Sequence, residues 1–137
     1  MIKKAFILAA GLGTRLRPLT LKCPKPLLKI KGKTLLSNTL KFLEEYGINQ
    51  AVINVHHLSE QIVDYVNNNK FNLAIDIVKE KEKILDTGGG ILNVIKHFDE
   101  SFVCINPDTI WNLTYLKELK QMEDKFFLSK KKCSMLV

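Results

Sequence analysis

The sequence contains no apolar run long enough to cross a lipid bilayer. An apolar run near the start follows Lys3 and Lys4, but it passes directly into glycines without a cleavage region, so we do not expect a signal peptide. The three cysteines, Cys23, Cys104 and Cys133, are odd in number and far apart, which fits neither a disulfide framework nor a zinc-binding pattern. We therefore expect a chain of the reducing cytoplasm that does not associate with membranes.

Internal repeats, low-complexity linkers and dense basic faces are also missing. The 137 residues suffice for one domain with a sizeable core, since 46% of them are hydrophobic. The net charge of +7 comes from 21 basic and 14 acidic residues, but the lysines are spread over the whole chain, and no predicted helix combines them with aromatic side chains. The charge therefore favours an anionic small molecule as a partner over a nucleic acid.

Segments typical of strands and of helices alternate along the chain. Apolar runs predict strands over residues 5–10, 51–55, 71–79, 101–105 and 133–137, and apolar residues at helical spacing predict helices over residues 35–46, 60–67, 90–98 and 113–122. Ser59 is expected to cap the second helix, and Gly47 to end the first. This alternation predicts an α/β fold with a mostly parallel sheet that carries helices on both faces.

Residues 6–26, which read FILAAGLGTRLRPLTLKCPKP, join the first predicted strand to a cationic loop. Glycines at positions 11 and 13 let the backbone turn sharply and approach an anion, and Arg15, Arg17 and Lys25 supply positive charge. Backbone N–H groups and cations together favour a phosphate-binding site. The alternative is a strand-to-helix turn in which the glycines only relieve strain.

This loop matches neither of two standard phosphate-binding fingerprints. A Walker loop ends in Gly-Lys-Ser/Thr, whereas Gly13 is followed here by Thr14 and Arg15. A dinucleotide fingerprint needs a third glycine at position 16, where this chain has Leu16. ATPase and dehydrogenase functions are therefore disfavoured.

Two further segments are expected at the same edge of the sheet, because ligands of open α/β sheets bind at the carboxyl ends of the strands. They are residues 87–90 (TGGG) and 106–108 (NPD). Asp108 is a candidate Mg²⁺ ligand, since Mg²⁺ takes one or two carboxylates together with phosphate oxygens and water; a turn or helix cap is the alternative. His56 and His57 face opposite ways at a strand end, so we expect one packed and one solvated ring and assign neither to a metal.

Five segments of the sequence resemble the sugar-phosphate nucleotidyltransferase family. They read LAAGLGTRLRPLT, PKPLL, INVHHLSEQI, DTGGGI and NPDTIW. Within that family they look most like N-acetylmuramate-1-phosphate uridylyltransferases, followed by mannose-1-phosphate guanylyltransferase-like proteins. The resemblance implies a Rossmann-like, doubly wound sheet. It also implies an Mg²⁺-dependent reaction in which an NTP and a sugar 1-phosphate give an NDP-sugar and pyrophosphate.

The resemblance also implies which residues hold the nucleotide. Backbone groups of the glycine loop would bind the base and phosphates, and the implied nucleotide-binding residues of this loop are Ala10, Gly11, Leu12, Gly13 and Thr14. Arg15 would bind the β- and γ-phosphates, and Lys25 would neutralise the α-phosphate or the attacking sugar phosphate.

The remaining implied site residues lie later in the chain. Gly88 and Gly89 would lie near the base or ribose, Asn106 near the sugar, and Asp108 would bind Mg²⁺. Arg15, Lys25 and Asp108 would be the catalytic residues, because a reaction between two phosphates needs positioning and charge neutralisation.

Two departures from the family pattern shape the expectations. Pro107 occupies a position where the family usually has a small residue. The family's domain also continues beyond the length of this chain, with a second metal-binding Asp. We therefore expect residues 1–137 to be the N-terminal, nucleotide-binding portion of a domain that is truncated or split, and that forms homo-oligomers or associates with a missing C-terminal half. The alternative function is that of a catalytically incomplete nucleotide-binding fragment or regulatory module.

Overall fold

A parallel sheet forms the centre of the computed structural model, which describes residues 1–80 and 84–136. In chain order the strands are β1 (Lys4–Leu8), β2 (Lys29–Ile30), β3 (Lys33–Thr34), β4 (Gln50–Val55), β5 (Ala74–Lys79) and β6 (Val103–Ile105). The helices are α1 (Leu35–Tyr46), α2 (Ser59–Asn68), α3 (Asp86–Val94) and α4 (Tyr115–Leu128). Within the described residues the sheet has the order β5-β4-β1-β6, and all its neighbours are parallel, while β2 and β3 pair as a separate antiparallel hairpin.

The two central strands are apolar because both faces of the sheet are covered. Ala5 and Ile7 on β1 lie beside Ala51 and Ile53 on β4 and belong to the main core. Phe6, between them on β1, points to the opposite face and packs with Val52 and Val94. Such double coverage removes the alternation of polar and apolar residues that marks a half-exposed strand, and leaves the continuous apolar runs seen in the sequence.

Helices cover both faces, which confirms the predicted α/β architecture. Buried side chains of α1, α2 and α4 join the main core on one face, and Val94 of α3 packs on the other. Helix α1 has clear local signals: Thr34 Oγ1 accepts a hydrogen bond of 3.0 Å from Ser37 N, and the helix ends at Gly47, which has φ +96°. The sequence prediction for this helix is therefore confirmed at both ends.

The order of the strands creates a switch point between β1 and β6. From β1 the chain passes to β4 and then to β5, moving in one direction across the sheet, and it then returns to β6 on the other side of β1. Because consecutive connections leave β1 in opposite directions, the loops after β1 and β6 diverge and open a crevice at the carboxyl ends of these strands. This is the doubly wound topology that the family resemblance implies.

Several predicted bounds differ from those in the structure. Strands β1, β5 and β6 are shorter than the predicted runs, and helix α4 extends from Tyr115 to Leu128 rather than over residues 113–122. Helix α3 begins at Asp86, four residues before the predicted start. Ser59 is the first residue of α2 and not its cap; the cap position is Leu58, with φ +50° and no capping side chain.

The C-terminal segment does not form the predicted strand. Residues 133–136 have no regular secondary structure and are exposed, and residue 137 lies outside the described residues. The apolar run there has no neighbouring strand to pair with among the described residues. Among residues 1–80 and 84–136, none of the helices has the length and apolar character that a membrane span requires.

Candidate functional site

A cleft of about 420 Å³ lies at the switch point. One side is built from the end of β1 and the residues that follow it, including Ala10 and Gly11, and another from the residues after β6, Asn106 to Asp108. Asp86 and Thr87 at the start of α3 complete the wall. The cleft therefore lies where doubly wound sheets bind their ligands.

The cationic loop after β1 is ordered by its own hydrogen bonds. Gly13 has φ +62°, and its carbonyl accepts hydrogen bonds from Leu16 N at 2.9 Å and from Thr20 Oγ1 at 2.7 Å. A Cβ on Gly13 would lie 2.7 Å from Thr20 Cγ2, so only glycine fits this turn without a rearrangement. The turn is followed by a 3₁₀ helix, Thr14–Leu16, in which Arg15 lines the cleft.

Lys25 reaches the cleft from another 3₁₀ helix, Lys25–Leu27, which two buried prolines anchor. Pro24 precedes this helix, and Pro26 lies inside it, where the fixed φ of proline suits the first turn. Lys25 Nζ lies 2.5 Å from Asp108 Oδ2, and both side chains are partly exposed, at 29% and 43%. The ion pair thus connects the loop after β1 to the loop after β6.

Trp111 holds the loop that carries Asp108. The indole Nε1 donates a hydrogen bond of 3.2 Å to the carbonyl of Asn106, and the ring stacks on Phe42 at a centroid distance of 5.1 Å. Pro107 is buried in the cleft wall, and the carboxylate of Asp108 remains directed to Lys25. The proline that departs from the family pattern is therefore compatible with the position of this carboxylate.

The structure brings six of the residues predicted for the site to the wall of the cleft. They are Ala10, Gly11, Arg15, Lys25, Asn106 and Asp108. Five others lie outside that wall: Leu12, Gly13, Thr14, Gly88 and Gly89. Gly88 and Gly89 belong to α3 and not to a loop, since this helix starts earlier than predicted.

Comparison with known proteins identifies this arrangement. A model of the family described as nucleotidyl transferase matches residues 4–133. The chain belongs to the nucleotidyl transferase family.

Individual members of this family are similar over most of the chain. An N-acetylmuramate alpha-1-phosphate uridylyltransferase of Caulobacter vibrioides is 39% identical over 113 residues, which are 80% of this chain and 47% of that protein. A D-glycero-alpha-D-manno-heptose 1-phosphate guanylyltransferase of Campylobacter jejuni is 33% identical, with 93% of this chain and 57% of that protein covered. This chain spans about half the length of these relatives.

A solved structure has a similar fold over most of the chain. The structure of HddC from Yersinia pseudotuberculosis complexed with GMP-PN superposes with a TM-score of 0.76 at 34% identity. The match covers 90% of this chain and 55% of HddC. The match confirms the Rossmann-like fold that the sequence resemblance implies.

Sequence analysis missed a buried polar pair of this chain, Asn54 and Glu80, which lies at the base of the cleft. Asn54 on β4 and Glu80 just after β5 are 2% and 5% exposed. Asn54 Oδ1 accepts a hydrogen bond of 2.8 Å from Ala9 N, and Asn54 Nδ2 donates one of 2.7 Å to Glu80 Oε1. The available signal was a single polar residue inside the apolar run AVINV, which periodicity does not register.

The two histidines after β4 also differ from the prediction. Both rings are half-buried, and each has a backbone carbonyl as partner: His56 Nδ1 lies 2.7 Å from Glu80 O, and His57 Nε2 lies 2.7 Å from Thr20 O. Because a carbonyl only accepts, each of these ring nitrogens carries the proton. His57 thereby ties the end of β4 to the cationic loop, and the expected division into one packed and one solvated ring is wrong.

Proposed function

We propose that this chain is the nucleotide-binding part of a sugar-1-phosphate nucleotidyltransferase, which transfers NMP from an NTP to a sugar 1-phosphate. The observation that carries the proposal is the convergence of Arg15, Lys25 and Asp108 on one cleft at the switch point of the sheet. The sequence resemblance favours two substrate pairs: UTP with N-acetylmuramate 1-phosphate, or GTP with mannose 1-phosphate. The similar proteins include both a uridylyltransferase and a guanylyltransferase, which supports UTP or GTP as the nucleotide. Because the chain spans about half the length of its relatives, the complete activity is part of this proposal.

The two cations would divide the phosphates between them. Arg15 is exposed at the cleft and has the planar, permanently charged head group that suits the β- and γ-phosphates. Lys25 lies on the side of Asp108 and would neutralise the α-phosphate or the attacking sugar phosphate. We assign the base and ribose to the wall formed by Ala10, Gly11 and the start of α3, and the sugar to the side of Asn106.

The residues present fit Mg²⁺ through one carboxylate. Asp108 is 43% exposed at the cleft, and a single carboxylate with phosphate oxygens and water is a common Mg²⁺ environment. Among the described residues there is no group of three or more His, Cys, Asp and Glu that could hold a metal by protein ligands alone. We propose that Asp108 holds Mg²⁺ together with the nucleotide. The bound ion would supply charge neutralisation and alignment of the phosphate oxygens.

The proposed reaction needs no general base. An ionised oxygen of the sugar 1-phosphate attacks the α-phosphorus of the NTP, a new P–O bond forms, and the bond to the bridging oxygen of the β-phosphate breaks, so that pyrophosphate leaves. Both reactants are anions, so the barrier contains a large repulsive part that fixed cations can lower. Arg15 would stabilise the leaving pyrophosphate, while Lys25 would hold the two reacting phosphates together.

Pyrophosphate release tests this function. We would incubate the chain with Mg²⁺, each of the four NTPs, and N-acetylmuramate, mannose or glucose 1-phosphate, and use the Lys25→Met variant as a matched inactive control. We expect release with UTP and N-acetylmuramate 1-phosphate or with GTP and mannose 1-phosphate. Binding of an Mg-NTP without any turnover would favour the alternative, a nucleotide-binding module. The absence of both binding and turnover would refute the proposal.

A further inference from the structure

A continuous line of buried and partly buried hydrogen bonds connects the two walls of the cleft. It starts at Ala9 N, which donates to Asn54 Oδ1 at 2.8 Å, and continues through Asn54 Nδ2, which donates to Glu80 Oε1 at 2.7 Å. It ends at Leu85 N, which donates to Glu80 Oε2 at 3.0 Å. Ala9 belongs to the first wall, directly after β1, and Leu85 immediately precedes α3, so the pair of side chains spans the base of the cleft.

Helix α3 rests directly on this pair. Gly90 is buried, and a Cβ at that position would lie 3.0 Å from Asn54 Nδ2 and 3.4 Å from Glu80 Oε1. The absence of a side chain at Gly90 therefore lets the helix approach the pair closely. Asp86 and Thr87, at the start of the same helix, line the cleft. A change in the pair would thus move a wall of the cleft.

The hydrogen-bonding groups of Asn54 and Glu80 match the two backbone amides that they contact, Ala9 N and Leu85 N. Ala9 N and Leu85 N are both donors, so an acceptor must face each of them. The amide of Asn54 beside the carboxylate of Glu80 meets this need. The Asn54 NH₂ group supplies the donor for the hydrogen bond between the two side chains. A carboxylate next to an amide, in the reverse order, would meet it equally well. Two carboxylates would repel each other, and two amides would need a different arrangement of donors.

We propose that Asn54 and Glu80 are positioning residues for nucleotide binding: they fix the start of α3 relative to the end of β1 and so set the shape of the cleft. This inference rests on the proposed function, because it assigns the nucleotide to that cleft. Both side chains lie at the base of the cleft and accept the hydrogen bonds from Ala9 N and Leu85 N. Because these bonds hold the two walls in place, we expect a change in the pair to alter nucleotide affinity.

A swap of the two side chains tests the inference. The single variants Asn54→Asp and Glu80→Gln each break the match, by placing two carboxylates or two amides side by side. The double variant Asn54→Asp/Glu80→Gln restores an acceptor at each end and a donor in the middle, and it keeps the charge of the pair. We expect each single variant to bind Mg-UTP or Mg-GTP about tenfold more weakly in calorimetry, because a buried donor or acceptor loses its partner. The double variant should recover most of this loss.

The Leu85 amide gives a second readout that needs no ligand. In protein labelled with ¹⁵N-leucine, its hydrogen exchange should be faster in Glu80→Gln than in the wild type and slow again in the double variant. Glu123→Gln is the matched control, since Glu123 is also a buried glutamate that accepts a backbone hydrogen bond, from Ile2 N at 3.0 Å, but it lies outside the cleft. Where the variant is folded, it should change neither nucleotide affinity nor the exchange of the Leu85 amide by local opening.

The outcomes separate the inference from the proposed function. Single variants that bind nucleotide as the wild type does, or a double variant no better than the singles, would overturn the inference. A wild type that binds none of the NTPs would refute the proposed function. In that case the exchange of the Leu85 amide would still decide whether the pair positions α3.

Discussion

Lys25 Nζ lies 2.5 Å from Asp108 Oδ2, so the cation assigned to the phosphates and the carboxylate assigned to Mg²⁺ hold each other across the cleft. A divalent cation at Asp108 would compete with this ammonium group, because both need the same carboxylate and they repel each other. A nucleotide resolves the conflict, since its phosphates give Lys25 a new partner. Loss of the Lys25 charge should therefore strengthen metal binding and weaken nucleotide binding.

The Lys25→Met variant tests this opposition. We expect it to bind Mn²⁺ alone about two- to fivefold more tightly, as the loss of a partly exposed ion pair predicts, in a titration followed by electron paramagnetic resonance. The same variant should bind a Mg-NTP about tenfold more weakly, because a charge-assisted contact to phosphate is lost. Asp108→Asn should weaken Mn²⁺ binding.

Lys29→Met is the matched control for this experiment. It removes the same charge from an exposed strand residue outside the cleft, and it should leave both affinities unchanged. If Lys25→Met lowered Mn²⁺ affinity, or if Lys29→Met reproduced its effects, the ion pair would not be the competitor of the metal.

The parts of the fold that the sequence predicted are those with a local signal. After its first residue, strand β4 is an apolar run interrupted only by Asn54, and α1 has both a threonine cap and a terminal glycine. The start of α3 was missed because three consecutive glycines have low helix propensity. Packing outweighs propensity there, since Val94 is fully buried and Gly90 fits against Asn54.

For the candidate site, too, the sequence predicted some residues and missed others. Arg15, Lys25 and Asp108 stand in segments that resemble a known family, and the structure places all three at one cleft. Asn54 and Glu80 could not be found from the sequence, because they are 26 residues apart and acquire their roles only through tertiary contact. A polar residue in a strand has many potential partners, and the sequence does not say which one it meets.

The turn at Gly13 predicts a stability effect that can be separated into two parts. Gly13→Ala should lower the free energy of unfolding by about 2 kcal/mol, because alanine is strained at φ +62° and its Cβ would lie 2.7 Å from Thr20 Cγ2. In a Thr20→Ser background, which removes that methyl group and keeps the hydroxyl, the cost should fall by about 1 kcal/mol. Urea denaturation of the four proteins measures both values.

Gly11→Ala is the control for this turn. Nothing lies within 4 Å of a Cβ at Gly11, and this residue is not among those with positive φ. Its unfolding free energy should stay within about 0.5 kcal/mol of the wild type. Equal costs for Gly13→Ala in the threonine and serine backgrounds would show that contact with Thr20 plays no part.

The glycines of α3 should respond differently to alanine. A Cβ at Gly88 meets open space, so Gly88→Ala should keep or raise the melting temperature, with a gain of up to about 1 kcal/mol from helix propensity. Gly88 lies outside the cleft wall, but the family resemblance implies that it lies near the base or ribose. If it does, the same variant should bind nucleotide about tenfold more weakly, because the methyl group takes space that the ligand needs. Thermal unfolding and calorimetry on one sample measure both effects.

Gly89→Ala provides the comparison. A Cβ there would lie 2.9 Å from Leu85 Cβ, so the start of the helix must shift, and we expect this variant to be less stable than Gly88→Ala by about 1 kcal/mol or more. Unchanged nucleotide affinity in Gly88→Ala would remove Gly88 from the nucleotide site.

Glu123 predicts how stability depends on pH. Burial would raise the pKa of this carboxyl group, but hydrogen bonds from Ile2 N, Lys120 and Tyr46 outweigh burial and hold the pKa below its ordinary value of 4.5. A carboxylate with a lowered pKa in the folded state contributes stability above the pKa of the unfolded state and loses it as pH falls through the folded-state pKa.

We therefore expect Glu123→Gln to be less stable than the wild type by about 1 kcal/mol at pH 7. This difference should shrink steadily as the pH is lowered below 4.5. Urea denaturation from pH 7 to about pH 3 measures it, and subtraction of the two curves removes the titration of the other carboxylates. A difference that stayed constant down to the lowest pH would show that the charge of Glu123 does not stabilise the fold.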